Sequence, residues 1–90
     1  AIGGALDFLI LQPKRNKILK IVEVKTTKKN YWYLGEHDIA QLKKLSSISK
    51  EHKIPVEYWI KIKGKFHIVK ISELEKFLKN HGKKRGFRPS

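Results

Sequence analysis

The chain has no cysteine, which excludes a disulfide framework and any thiolate metal site. Acidic residues are scarce. Eight Asp and Glu stand against 21 Lys and Arg, a formal net charge of +13 at pH 7. A surplus of that size selects no fold, but it favours polyanionic partners, with nucleic acid first and an anionic membrane surface as the rival. Long apolar runs are missing too: no segment approaches the roughly 20 residues that cross a bilayer, and no signal peptide is visible. The expectation is a cytoplasmic protein with no membrane partner. A length of 90 residues allows one small domain with a modest core. The opening "AIGGALDF" lacks an initiating methionine, so the chain reads as a processed or truncated piece. Its lysine-rich, cysteine-free composition suits a heat-adapted organism.

What is present alternates between two periods. "ALDFLILQ" reads as a strand between Gly3-Gly4 and the polar turn "PKRNK", and "KILKIVEVK" as the next strand, so the two form a hairpin. "YWYL" is a short third strand before Gly35. From Glu36 the period changes. Ile39, Leu42, Leu45 and Ser49 mark a helix with one apolar stripe, ending near "EHKIP" because helices rarely continue through the residue before proline. "VEYWIKI" alternates again, with Val56, Tyr58, Ile60 and Ile62 on one face and Glu57, Trp59 and Lys61 on the other. Lys63-Gly64 turns the chain into an antiparallel partner, "FHIVKI". Ser72 reads as the N-cap of a second helix, with Glu75 completing a capping box and Ile71 before it. Leu74, Phe77 and Leu78 form that helix's buried stripe. The remainder, "KNHGKKRGFRPS", has little periodicity. The reading is an α/β domain over residues 1–78 with one mixed sheet, followed by a flexible basic tail over residues 79–90.

Two strands carry residues that a plain sheet would not choose. Asp7 interrupts the apolar "LDFLIL", and Glu23 and Lys25 share a strand face with Ile21. Burying either charge alone is costly. An edge strand with an ion pair would account for the pattern, and so would an active site. If the strands pair through the turn at residues 13–16, Asp7 comes close to Glu23. Two carboxylates without a compensating partner repel each other, and a divalent cation resolves the conflict. Mg²⁺, or Mn²⁺ in its place, takes carboxylate oxygens while keeping waters and contacting phosphate. Lys25 beside such an ion can orient or deprotonate an attacking water, or offset charge growing on the phosphate. Asp7 and Glu23 as metal ligands, with Lys25 next to them, make a device for phosphodiester hydrolysis.

The segment "LDFLIL…KILKIVEVKTTKK" resembles the core of the PD-(D/E)xK nuclease superfamily, most closely the archaeal Holliday junction resolvases. In that family a glycine-rich loop leads into an aspartate-bearing strand. The next strand ends in Glu-x-Lys, and a basic segment, a short strand and a helix follow. Here Gly3-Gly4, Asp7 and Glu23-Val24-Lys25 occupy those places, and the resemblance extends over residues 3–77. It implies a restriction-endonuclease-like α/β core, a central mixed sheet with flanking helices. It also implies a Mg²⁺-dependent endodeoxyribonuclease of DNA recombination and repair, associated with the nucleoid. Its partner would be branched DNA, cut by a homodimer whose two sites cleave opposite strands of a four-way junction. Gln41 falls where the family places a polar residue facing the site. Leu6 stands where the family usually has proline, and the family's first helix, which carries a further metal-binding glutamate, has no counterpart here. Other PD-(D/E)xK restriction or repair nucleases, and a non-catalytic nucleic-acid-binding module, are the alternative functions.

For the DNA backbone the candidates are Lys14, Arg15 and Lys17 in the first turn, Thr26, Lys28 and Lys29 after the motif, and Lys83, Lys84 and Arg85 in the tail. Thr27 could join Thr26, although both are also plain strand formers. Tyr31, Trp32 and Tyr33 invite base stacking, but in so small a domain two of the three are expected in the core or a dimer contact. His37, His52, His67 and His81 are too scattered for a zinc site.

Overall fold

The computed structural model describes residues 8–12, 17–81 and 85–89. In chain order the elements are β1 (Phe8–Gln12), β2 (Lys17–Thr27), β3 (Trp32–Tyr33), α1 (Glu36–His52), β4 (Val56–Ile62), β5 (Lys65–Lys70), α2 (Ile71–His81) and β6 (Gly86–Phe87). Four strands form one mixed sheet in the order β1-β2-β4-β5. β1 and β2 are an antiparallel pair, with Phe8 opposite Val22 and Gln12 opposite Lys17. β2 and β4 run parallel, from Ile21 opposite Val56 to Thr27 opposite Ile62. Parallel neighbours need a crossover, and α1 lies within it. The strand carrying Glu23 and Lys25 is therefore interior, not an edge. β4 and β5 close the sheet as an antiparallel hairpin. Its turn residues Lys63 (φ 49°) and Gly64 (φ 82°) both take the left-handed conformation that a tight two-residue loop demands.

The alternation read in "VEYWIKI" is real: Val56, Tyr58, Ile60 and Ile62 are buried, and the residues between them are half-buried. Against that face pack Leu42 and Leu45 of α1 and Leu74 of α2, with Ile21 and Val69 from the flanking strands. Both helices share this core, and Ser46 of α1 donates to the Glu75 carboxylate of α2 at 3.0 Å. α1 stops where proline requires. Lys53 takes a left-handed conformation (φ 55°), its N–H donates to the Ser49 carbonyl, and the chain passes through Pro55 into β4. No helix among the described residues is long and apolar enough to cross a membrane.

Three expectations need correction. β3 does not join the main sheet; it pairs with β6, Trp32 opposite Phe87 and Tyr33 opposite Gly86. Residues 79–90 are not a loose tail throughout. α2 continues to His81, Phe87 is buried against Phe77 in an edge-to-face contact at 5.2 Å, and Leu34 N–H donates to the Arg85 carbonyl at 2.9 Å. One apolar residue in a basic segment was enough to dock it, because Trp32, Leu34 and Phe77 offered it a place to be buried. Ser72 is not a cap: α2 begins at Ile71, directly after β5, and the Glu75 carboxylate turns to Ser46 and to Lys50 at 3.8 Å. Removing the Phe87 ring should therefore cost the fold. Phe87→Ala is expected to lower the unfolding free energy by about 3 kcal/mol in urea denaturation, whereas an unchanged midpoint would show that β6 adds nothing to the core.

Candidate active site

β2 turns its Glu23 face inward. Ile21, Glu23 and Lys25 alternate on one side of the strand, and Glu23 is only 2% exposed. A carboxylate this deep needs partners. Gln41, on the first half of α1, donates from Nε2 to Glu23 Oε1 at 3.0 Å, and the Lys25 ammonium lies 3.4 Å from the same oxygen. Gln41 is itself buried beside Leu42, so the packing that seats α1 on the core also delivers the amide to the acid. Lys25 has a second anion, Asp38 Oδ1, again at 3.4 Å. Asp38 sits in the first turn of α1, and its other oxygen accepts the Gly35 N–H at 3.1 Å. Lys25 Nζ also stands 6.0 Å from the centroid of the Trp32 ring.

Of the residues singled out in the sequence, Glu23, Lys25 and Gln41 thus converge on one spot. The ion pair expected of the "EVK" pattern exists, but in the interior of the sheet beside a buried amide. Asp7 lies outside the described residues, as do Lys14, Arg15, Lys83 and Lys84. Lys17 is described by its backbone, paired with Gln12 at the far end of β2 from Lys25. Thr26 is exposed, and its neighbours in sequence put it on the strand face opposite Lys25. Thr27 Oγ1 accepts the Lys29 N–H at 3.2 Å. Lys28 and Lys29 are exposed just beyond the strand. Lys29 Nζ and the Arg88 guanidinium lie 5.6 Å and 6.0 Å from the centroid of the Tyr31 ring. Arg85 is half-buried beside β6, with its carbonyl engaged by Leu34.

The sequence points to neither Asp38 nor Tyr58 as a site residue, and to Trp32 only as a base-stacking or core candidate. Asp38 carried a usable signal, since it precedes Gln41 by three positions and so falls on the same side of a helix. Tyr58 was legible only as a core residue of β4. It is fully buried and stands opposite Glu23 in the parallel ladder, with its ring centroid 5.7 Å from that of Trp32. Burial, with the negative charges of Glu23 and Asp38 adding to it, pushes the Tyr58 phenol well above its ordinary range.

The donor set suits a hard cation in kind, because Mg²⁺ is held by one or two carboxylates and keeps its own waters. Glu23 is a carboxylate of that kind. Among the described residues no group of three or more Asp, Glu or His is placed to hold a metal ion, and Asp7 lies outside them. Phe8, the next residue after Asp7, stands opposite Val22, the residue before Glu23. No family model, curated protein or solved structure matches this chain.

The Tyr58 hydroxyl has no hydrogen-bond partner among the described residues, and burying an unsatisfied hydroxyl costs about 1–3 kcal/mol. Tyr58→Phe should therefore leave the unfolding free energy at neutral pH unchanged or raise it by about 1 kcal/mol. The wild type should also lose stability in alkali. Its raised phenol keeps its proton when folded, while the unfolded chain releases it above pH about 10. The contribution is complete below that pH and declines above it. Denaturation of both proteins at pH 8 and pH 10.5 checks this: the phenylalanine variant should show the smaller alkaline loss, and a marked drop in its stability at pH 8 would reveal a stabilising bond to the hydroxyl.

Proposed function

We propose that this chain is the core of a metal-dependent DNA endonuclease of the PD-(D/E)xK kind, restriction-endonuclease-like in fold, acting on branched DNA and by preference on four-way junctions. One observation carries the reading: Glu23 is buried on an interior strand and bound by Gln41 and Lys25. These are the three described positions that the resemblance assigns to one site. The element order around them, a hairpin, a short strand and then the helix bearing Gln41, also follows the order that the resemblance calls for.

In this reading Glu23, with Asp7, holds the cation, and Gln41 fixes the orientation of the Glu23 carboxylate. Bound Mg²⁺ supplies a Lewis acid for the scissile phosphate and an acidified water. Lys25 is 18% exposed at its side chain, deep enough to be oriented and open enough to meet a phosphate oxygen. Its ammonium offsets charge that develops on the phosphorane-like transition state, or fixes the attacking water. Lys28, Lys29 and Arg88 extend the positive surface from the end of β2 and meet the backbone without reading sequence. Two copies related by a twofold axis would present two such sites to the opposite strands of a junction.

A structural ion-pair cluster in a non-catalytic DNA-binding module is the competing reading, favoured by the fact that Lys25 already bridges two acids. Single-turnover cleavage of a labelled four-way junction at saturating protein, with and without Mg²⁺, separates them. Wild type should cleave only with the metal and prefer the junction to a duplex of the same sequence. Glu23→Gln and Lys25→Ala should lose cleavage by roughly 10²-fold or more while still binding the junction with a steep salt dependence. Melting curves run in parallel establish that each variant is folded. Undiminished cleavage by folded Lys25→Ala would remove the lysine from the chemistry, and binding without any metal-dependent cleavage would favour the module.

A further inference from the structure

We infer that Asp38 is a positioning residue for Lys25, the second of two seats between which the ammonium is shared and the one that retains it when a cation occupies Glu23. The inference rests on the nuclease reading for its use in catalysis, but the two-seat arrangement stands on geometry. Lys25 Nζ lies 3.4 Å from Glu23 Oε1 and 3.4 Å from Asp38 Oδ1. A metal ion on the Glu23 carboxylate and an ammonium on the same oxygen repel each other, since both are cations drawn to one anion. With Glu23 as its only anchor, Lys25 would be expelled from the site as the metal arrived. Asp38 prevents that.

The seat is held in advance. Asp38 Oδ2 accepts the Gly35 N–H at 3.1 Å, which ties the carboxylate to the helix start, and Oδ1 lies 3.4 Å from the lysine. Asp38 also lies in the first turn of α1, where the helix's positive end favours a negative charge. Trp32, 6.0 Å from the ammonium at its ring centroid, closes another side with an aromatic face. The result is a lysine whose position is set by α1 as well as by its own strand. Catalytic groups need such fixing, because small misplacements cost rate steeply.

Asp38→Asn is the informative variant, because its amide oxygen can still accept the Gly35 N–H while the charge that holds Lys25 is gone. Glu36→Gln, an exposed acid in the same turn, controls for general loss of charge at the helix start. Reductive dimethylation of the full chain, read at Lys25 by peptide mass spectrometry, measures how firmly the ammonium is held. Without metal, Glu23 retains the lysine and both variants should label like wild type. In saturating Mg²⁺ the wild type and Glu36→Gln should stay protected, and Asp38→Asn should label several-fold faster. Single-turnover cleavage by Asp38→Asn should fall by roughly 10- to 100-fold at unchanged junction affinity and melting temperature. The inference is overturned if Lys25 in folded Asp38→Asn stays as protected as in wild type under Mg²⁺, if Mg²⁺ alters the labelling of no variant, or if folded Asp38→Asn cleaves at the wild-type rate. Absence of cleavage by every protein would refute the nuclease reading instead, and the labelling would still decide whether Asp38 holds the lysine.

Discussion

A carboxylate held out of water in the middle of a sheet is the constraint to which the rest of this molecule answers. Moving a charged group out of water costs several kcal/mol even after the surroundings relax. Ile or Val at position 23 would suit an interior strand at least as well for stability alone. Glu23 instead obliges α1 to bring an amide against β2, and obliges Lys25 to fold back along its own strand. Lys25 in turn draws in Asp38, and Asp38 engages Gly35 at the start of the helix. Polar bonds therefore tie the helix to the sheet at one end of their contact, while Leu42 and Leu45 tie it by apolar packing further along. Polar clusters of this kind add little net stability but fix geometry, which is what a reactive site requires.

From Ile21 onward, exposure grades along β2 in the direction of the chain. Ile21 and Glu23 are buried, Lys25 and Thr27 are half-buried, and Lys28 and Lys29 stand in solvent. A single strand therefore runs from the hydrophobic core through the acid and the shared lysine to a basic surface. The ribbon of β3 and β6 supports that outer end, where Lys29 and Arg88 approach Tyr31. Positive charge stands open where the strand meets solvent and is neutralised where the strand goes inside.

Much of this was legible in the residues, and the failures have identifiable physical causes. The period-two pattern of "VEYWIKI" and the helical spacing of Ile39, Leu42 and Leu45 gave β4 and α1 because burial on one face imposes those periods. The convergence of Glu23, Lys25 and Gln41 followed from the resemblance and from side chains two apart sharing a strand face. The pairing of β3 with β6 was not legible, because two-residue strands have no period and their union depends on Phe87 finding an apolar site far away in sequence. Ser72 misled because a capping motif is a local signal, whereas α2 starts straight from β5 and Glu75 is drawn to a partner on α1. Asp38 was overlooked for the same kind of reason. Its contact with Lys25 comes from a strand more than ten residues earlier, and within α1 only its spacing from Gln41 hints at it.

The parallel pairing of β2 with β4 has a consequence for how the site comes into being. Two of the groups beside Glu23 come from residues later in the chain: Gln41 from α1 and the neighbouring strand position of Tyr58 from β4. A β1–β2 hairpin rests on contacts close in sequence, but it lacks the parallel strand and the helix that stand over the acid. Pairings separated by that much chain close slowly. Full burial of the carboxylate therefore needs both the completed sheet and the seated helix, and the Glu23–Gln41 pair exists only in the native topology.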